Sequence, residues 1–201
     1  LLYQWGRKDP FLGSSSISNN VEVESTIAWP SVVSSDASTG TIEYATTNPT
    51  VFIILNNENS DWYYTGSSSI DNTRWTTLEA PKSIYDPCPV GWRVPDGGRN
   101  GVWSVALGSS SSFYYTYNDT NKGMNFSGEF GSASNIWYPA SRYRGIAGSL
   151  DKVVGGRCWS ASPSGKLAYC LYFNSSDGYV VPSNNFIRML GFSVRCLQAI
   201  D

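Results

Sequence analysis

The chain contains no histidine, which removes the commonest general base, the Ser-His-Asp and Cys-His nucleophile systems, and the most frequent metal ligand. Most of the remaining chemistry lies in four cysteines, Cys88, Cys158, Cys170 and Cys196. They are even in number, have no C-x-x-C spacing and match no zinc ribbon or finger, so disulfides are the preferred reading and buried free thiols the alternative. A Cys88–Cys196 bridge would close a loop of about a hundred residues, adding up to ~4–5 kcal/mol in chain-entropy terms. A cross-strand Cys158–Cys170 bridge is a second option. Arg157 precedes Cys158, but a guanidinium cannot serve as its base at neutral pH. Carboxylates such as Asp61, Glu79, Asp119 and Glu129 would have to face each other across a cleft to hydrolyse a glycoside. None sits in a recognisable pattern, and solvated surface charge is the simpler account. Asn118-Asp119-Thr120-Asn121 offers oxygen ligands to calcium, although an Asx-rich turn is the favoured account. There is no phosphate loop or dinucleotide fingerprint. The expectation is a non-enzymatic chain with no catalytic residue, metal or cofactor.

The composition narrows the classes further. With 201 residues, the chain suits one domain, 1–201, long enough for its own core. It holds 8 Trp and 13 Tyr, but only 15% of its residues are charged, the reverse of a disordered chain. The net charge of -2 and scattered basic residues argue against nucleic acid, which needs clustered Lys and Arg. No apolar run reaches 18 residues; the longest, Val51–Leu55, suits one buried strand. The opening Leu1-Leu2-Tyr3-Gln4 has neither Met nor a signal-peptide pattern, which reads as a fragment or mature domain. Disulfides imply an oxidising compartment.

Helix signals are weak. Thr73–Ala80 has room for two turns before Pro81, and a second short helix is expected near Gly101–Leu107. Strands are predicted at Tyr44–Thr47, Val51–Leu55 and Ile136–Tyr138, the last in a segment Gly128–Ser141 followed by a glycine-rich region, Gly145–Gly156. The C-terminal part reads as a hairpin, Arg157–Ser160 with Ala168–Asn174, turning at Pro163–Lys166. In that register Trp159 faces Tyr169 and Cys158 faces Cys170. Trp159, Tyr169, Leu171 and Phe173 then line the core, while Cys158, Ser160, Ala168, Cys170, Tyr172 and Asn174 line the other face. Further strands are expected at Gly178–Pro182 and Gly191–Leu197, with a polar turn at Ser183–Asn185. Phe186-Ile187-Arg188-Met189-Leu190 should then be a polar loop, yet four of its five residues are large and apolar. They are either an interaction surface or core.

Three segments carry a family likeness. Leu2–Phe11, the run Asp86-Pro87-Cys88-Pro89-Val90-Gly91-Trp92-Arg93-Val94-Pro95, and Gly191-Phe192-Ser193-Val194-Arg195-Cys196 resemble the opening, the "DPCP-x-GWRVP" signature and the "GFSVRC" ending of the fimbrillin-like, major-paralogous-domain surface proteins of anaerobic gut bacteria. The resemblance implies an α+β, C-type-lectin-like fold of short helices with a mainly antiparallel, loop-rich β C-terminal half. It also implies the Cys88–Cys196 pairing and an extracellular or outer-cell-surface location. Residues 157–196 further resemble the variable region of proteins diversified by a retroelement that substitutes template adenines. Members of that group commonly carry Asn at the positions matching Leu167, Cys170, Tyr172, Tyr179, Val181, Phe186, Ile187 and Leu190. An AAC codon altered only at its adenines reaches each of these types; Tyr to Cys at Cys158 needs one such change, and Met189 and Lys166 follow less simply.

The implied function is a surface-displayed binding module, expected to be a monomeric domain, whose C-terminal face takes a protein or other macromolecular ligand. Any membrane attachment would come through an N-terminal anchor or a pilus. The ligand-binding set is Cys158, Leu167, Cys170, Tyr172, Tyr179, Val181, Phe186, Ile187, Met189 and Leu190, all expected to point outward. A pilus-tip or adhesin domain with a fixed ligand such as a host glycan is the alternative, although no Glu-Pro-Asn, Gln-Pro-Asp or Trp-Asn-Asp triplet of calcium-dependent sugar binding is present. An enzyme related to the formylglycine-generating oxidases, using Cys158 and Cys170 as a metal-binding or redox pair, is the third option.

Overall fold

The computed structural model describes residues 1–18, 21–24, 31–54, 60–66, 69–107, 115–127, 136–151, 155–175 and 179–199, with side chains described outside 14–24. The expectations placed on Leu55, Glu129, Gly178 and 128–135 lie outside the described residues.

The C-terminal part is built on a three-stranded antiparallel sheet of β10 (Gly155–Ser164), β11 (Leu167–Asn174) and β12 (Val180–Ile187), in the order β10-β11-β12. A second such sheet contains β7 (Tyr115–Asn118), β8 (Gly123–Phe126) and β9 (Ile136–Pro139). Two-stranded pairs complete the frame. β1 (Tyr3–Gln4) joins β13 (Gly191–Phe192), β6 (Trp92–Arg93) joins β14 (Leu197–Gln198), and β2 (Ser14–Ser18) joins β3 (Val21–Glu24). β4 (Val32–Ser34) pairs parallel with β5 (Phe52–Ile54). The helices are α1 (Ile42–Thr47) and α2 (Val102–Leu107), six residues each.

This arrangement corrects the fold class. Strand makes up 37% of the structure and helix 8%, in several small sheets, so the fold is β-rich and not the expected α+β, C-type-lectin-like one. The predicted helix at Thr73–Ala80 is absent because its backbone is engaged by side chains: Thr73 N donates to Asp71 Oδ1 (2.7 Å) and Leu78 N to Asp96 Oδ1 (3.1 Å). Such bonds compete with helical ones. Conversely, Tyr44–Thr47 is helix, not strand. Thr41 caps it by accepting from Tyr44 N at 3.0 Å, and Asn48 and Pro49 end it. The helix expected at Gly101–Leu107 forms as α2.

The central sheet carries core packing on both faces. On one face Trp159, Ala168 and Cys170 pack with Trp5, Trp75, Val94 and Phe192. On the other, Cys158, Leu171 and Phe173 pack with Trp103, Leu107, Met124, Phe126 and Tyr138. The β10–β11 register explains the division. Its turn is the pair Gly165-Lys166, with Gly165 at φ 58, closed by Ser164 opposite Leu167. A bulge between Trp159 and Pro163 then places Trp159 opposite Cys170 and Cys158 opposite Leu171. This is one residue away from the expected register, and a one-residue slip turns each side chain to the other face. The predicted grouping of Trp159 with Leu171 and Phe173 is therefore wrong.

β12 runs through Ser183-Asn184-Asn185, where a turn was expected, and Pro182 is accommodated at the bulge between the Cys170 and Tyr172 pairings. Proline is tolerated at such a site, on an edge strand. The β1–β13 pair joins the N-terminal strand to the C-terminal part, and the Cys88–Cys196 disulfide, which spans 108 residues, joins the C-terminal segment to the middle of the chain.

Candidate functional site

The ten predicted binding residues separate into two groups. Cys158, Cys170, Met189 and Leu190 are buried, Cys170 and Met189 completely. Their predicted outward orientation is thus corrected. The two thiols are sealed because the sheet has packing on both faces. They are free cysteines that belong to opposite faces, so no bridge links them. Burial pushes the Cys158 thiol up to about 11, against a smaller opposing effect of its hydrogen bond with Ser193. Burial also pushes the Cys170 thiol strongly upward. Neither has the thiolate character that redox or metal chemistry needs.

Met189 and Leu190 are held inside by the segment around them. Gln4 Nε2 donates to Met189 O (2.7 Å) and Ile53 O (2.7 Å), and Arg188 N donates to Ser60 O (2.7 Å). Arg188 itself is fully buried and stacked on Trp5 at 4.3 Å. Asp61, one of the carboxylates considered for catalysis, is taken up here by ion pairs with Arg74 and Arg188. Asp119 pairs with Lys122 at 2.6 Å across the β7–β8 turn, where Asn121 N donates to Asn118 Oδ1. The Asx-turn reading accounts for that segment.

Leu167, Tyr172, Val181, Phe186 and Ile187 are half-buried, and Tyr179 is 55% exposed. The sheet register gathers part of this group. Arg157, Tyr172 and Val181 form one rung across the three strands. Phe186, two rungs away, lies 6.1 Å from the Tyr172 ring, and Tyr179 lies 6.4 Å from it on the other side. Phe192 underlies them, edge-on to Phe186 at 5.4 Å and stacked with Trp159 at 4.1 Å. The result is an aromatic face on the β12 edge of the sheet, supported by rigid core rings.

Sequence reasoning missed the cation in this face. Arg157 is 7% exposed, with its guanidinium 3.8 Å from the Tyr143 ring centroid, 4.9 Å from Tyr172 and 5.6 Å from Phe186. Its Nε and Nη1 are buried and bond to no acceptor among the described residues. Asp151 acts on it electrostatically but is hydrogen-bonded to the Tyr143 hydroxyl. Desolvation draws Arg157 below the ordinary arginine value, opposed by the nearby Tyr143 and Tyr172. The available signal is an arginine in a strand otherwise made of small and aromatic residues.

Among the described residues, no group of three or more Cys, Asp or Glu is placed to hold a metal. Comparisons with protein-family models, curated proteins and solved structures find no match to this chain.

Proposed function

We propose that the chain is a non-enzymatic, externally displayed binding module that takes a protein or other macromolecular ligand on the face bearing Tyr172, Tyr179, Val181 and Phe186, with Leu167 and Ile187 at one end. One observation carries this reading: Tyr172 on the central strand, Tyr179 just before the edge strand and Phe186 on it stand together, partly open to solvent. Aromatics fixed by packing supply contact area at low entropic cost, as in antibody paratopes. Tyr179 and Val181 lie outside the packed clusters, which allows this part of the face to vary by adenine-directed substitution of its codons. The disulfide fits an oxidising, extracellular setting.

Binding to extracts of host and bacterial surfaces tests the proposal. The Tyr179→Ala/Phe186→Ala variant should lose most retention while keeping a cooperative unfolding transition. Unchanged retention by this variant rejects the assigned face. Sequencing the locus across isolates tests diversification separately: changes confined to template adenines are expected, and an invariant locus removes that part.

A further inference from the structure

We propose that Arg157 is the oxyanion socket of this face, and that its ligand presents a carboxylate beside an aromatic or apolar group. The inference deepens the reading of the Tyr172–Phe186 face and rests on it. The guanidinium is held between Tyr143, Tyr172 and Phe186, so its position is fixed before any ligand arrives. Ring faces stabilise a cation but accept no conventional hydrogen bond from its in-plane N–H groups. Nε and Nη1 thus remain as buried donors without acceptors, a costly state that an incoming acceptor relieves.

A carboxylate oxygen accepting from one of these donors forms a single charge-assisted bond, stronger than a neutral one. The surrounding aromatic walls exclude water and strengthen the contact. They also favour a ligand with a flat or apolar group next to the charge. An acidic side chain or a chain terminus in an apolar context has this form. A tetrahedral, strongly hydrated phosphate has no counterpart for the ring walls, so the socket discriminates against it.

The test uses small probes on the full chain, followed by NMR at the Arg157 Nε–H and at the rings of Tyr143, Tyr172 and Phe186. Phenylacetate should move all four sets of signals in one saturable process. Benzyl alcohol, its uncharged relative, and inorganic phosphate should bind roughly tenfold or more weakly, the loss expected for one charge-assisted contact. Arg157→Met should abolish the preference for phenylacetate over benzyl alcohol, and Arg157→Lys should restore only part of it. Chemical-shift dispersion in each variant verifies folding.

Equal binding of phenylacetate and benzyl alcohol, or an unchanged preference in Arg157→Met, overturns the socket and leaves the aromatic face standing. Tighter binding of phosphate than of phenylacetate overturns the carboxylate assignment. Absence of any shift with phenylacetate also overturns the socket, while the Tyr179→Ala/Phe186→Ala experiment still judges the face independently.

Discussion

Two buried arginines, Arg188 and Arg157, solve the same physical problem in opposite ways. Arg188 is saturated. Its Nε donates to Leu167 O at 3.1 Å, Nη1 to Asp71 O at 2.8 Å, and Nη2 to Gly165 O at 2.9 Å, while Asp61 supplies the counter-charge. Those acceptors come from the β10–β11 turn and from residues 61–72, so one side chain binds remote segments into a clamp. Arg157 is also buried, though less completely, and is surrounded by ring faces, with two donors unused. A saturated buried cation ties segments together, whereas an unsaturated one leaves donors that an acceptor from outside would satisfy, as proposed for Arg157. Burial alone does not separate the two; the acceptor inventory does.

The contrast can be broken most decisively at the clamp. Arg188→Met should cost about 3–5 kcal/mol in urea unfolding, because it strands the carbonyls around it and unbalances the Asp61–Arg74 pair. A loss below about 1 kcal/mol would mean that the clamp contributes little and that the two arginines are energetically alike.

Cys158 and Cys170 bound how far the open region extends, since Cys170 shares the Arg157 face and Cys158 lies on the sealed one. At pH 8 neither should react with a disulfide reagent in the native protein, and both should react in denaturant. Burial holds the Cys158 thiol near 11, above its usual 9. Its contribution to stability is therefore fully present below about 9 and is lost as the pH rises toward 11. Rapid modification of Cys170 with Cys158 inert would mean that the Arg157 face opens down to the second rung.

At Arg157 itself, Arg157→Met should change the unfolding free energy by only about 1 kcal/mol. The loss of cation–π contact is offset by the removal of two unsatisfied donors. A destabilisation matching that of Arg188→Met would recast Arg157 as a clamp and remove the physical basis of the socket.

The same contrast marks what the sequence made legible. Element types along residues 155–174 could be read because alternating apolar residues and a Gly-Lys turn are local signals. The register was not legible, since the turn is the pair Gly165-Lys166 where Pro163–Lys166 is expected, and a bulge follows between Trp159 and Pro163, where Trp159 N donates to Ser193 O and Ala161 N to Pro95 O, partners distant in sequence. The register separates Cys158 and Cys170 onto opposite faces, and both are buried because each face carries packed elements. Met189 and Leu190 were misplaced for a related reason: the N-terminal Gln4 anchors their segment, and no local pattern reports a neighbour 185 residues away. The α1 helix was legible in principle through its Thr41 cap, but the β-branched and aromatic residues in Ile42–Thr47 suggested a strand. Tyr172 lies on the central strand β11, Tyr179 just before β12 and Phe186 within it, and their meeting depends on the β11–β12 register, which runs through residues where a turn is expected.

The smallest expected effect tests whether the aromatic face is independent of the scaffold. Tyr179 is the most exposed of its members at 55% and touches the rest through the Tyr172 ring at 6.4 Å. Tyr179→Ala should therefore shift unfolding by less than about 0.5 kcal/mol. Tyr172→Ala should cost more, because Tyr172 also packs against the core and borders Arg157 at 4.9 Å. If the two substitutions cost the same, Tyr179 is part of the scaffold, and the division between a rigid sheet and a face free to vary does not hold at its outermost residue. A small cost for Tyr179→Ala together with a large loss of ligand retention would place that residue on the recognition side of the division.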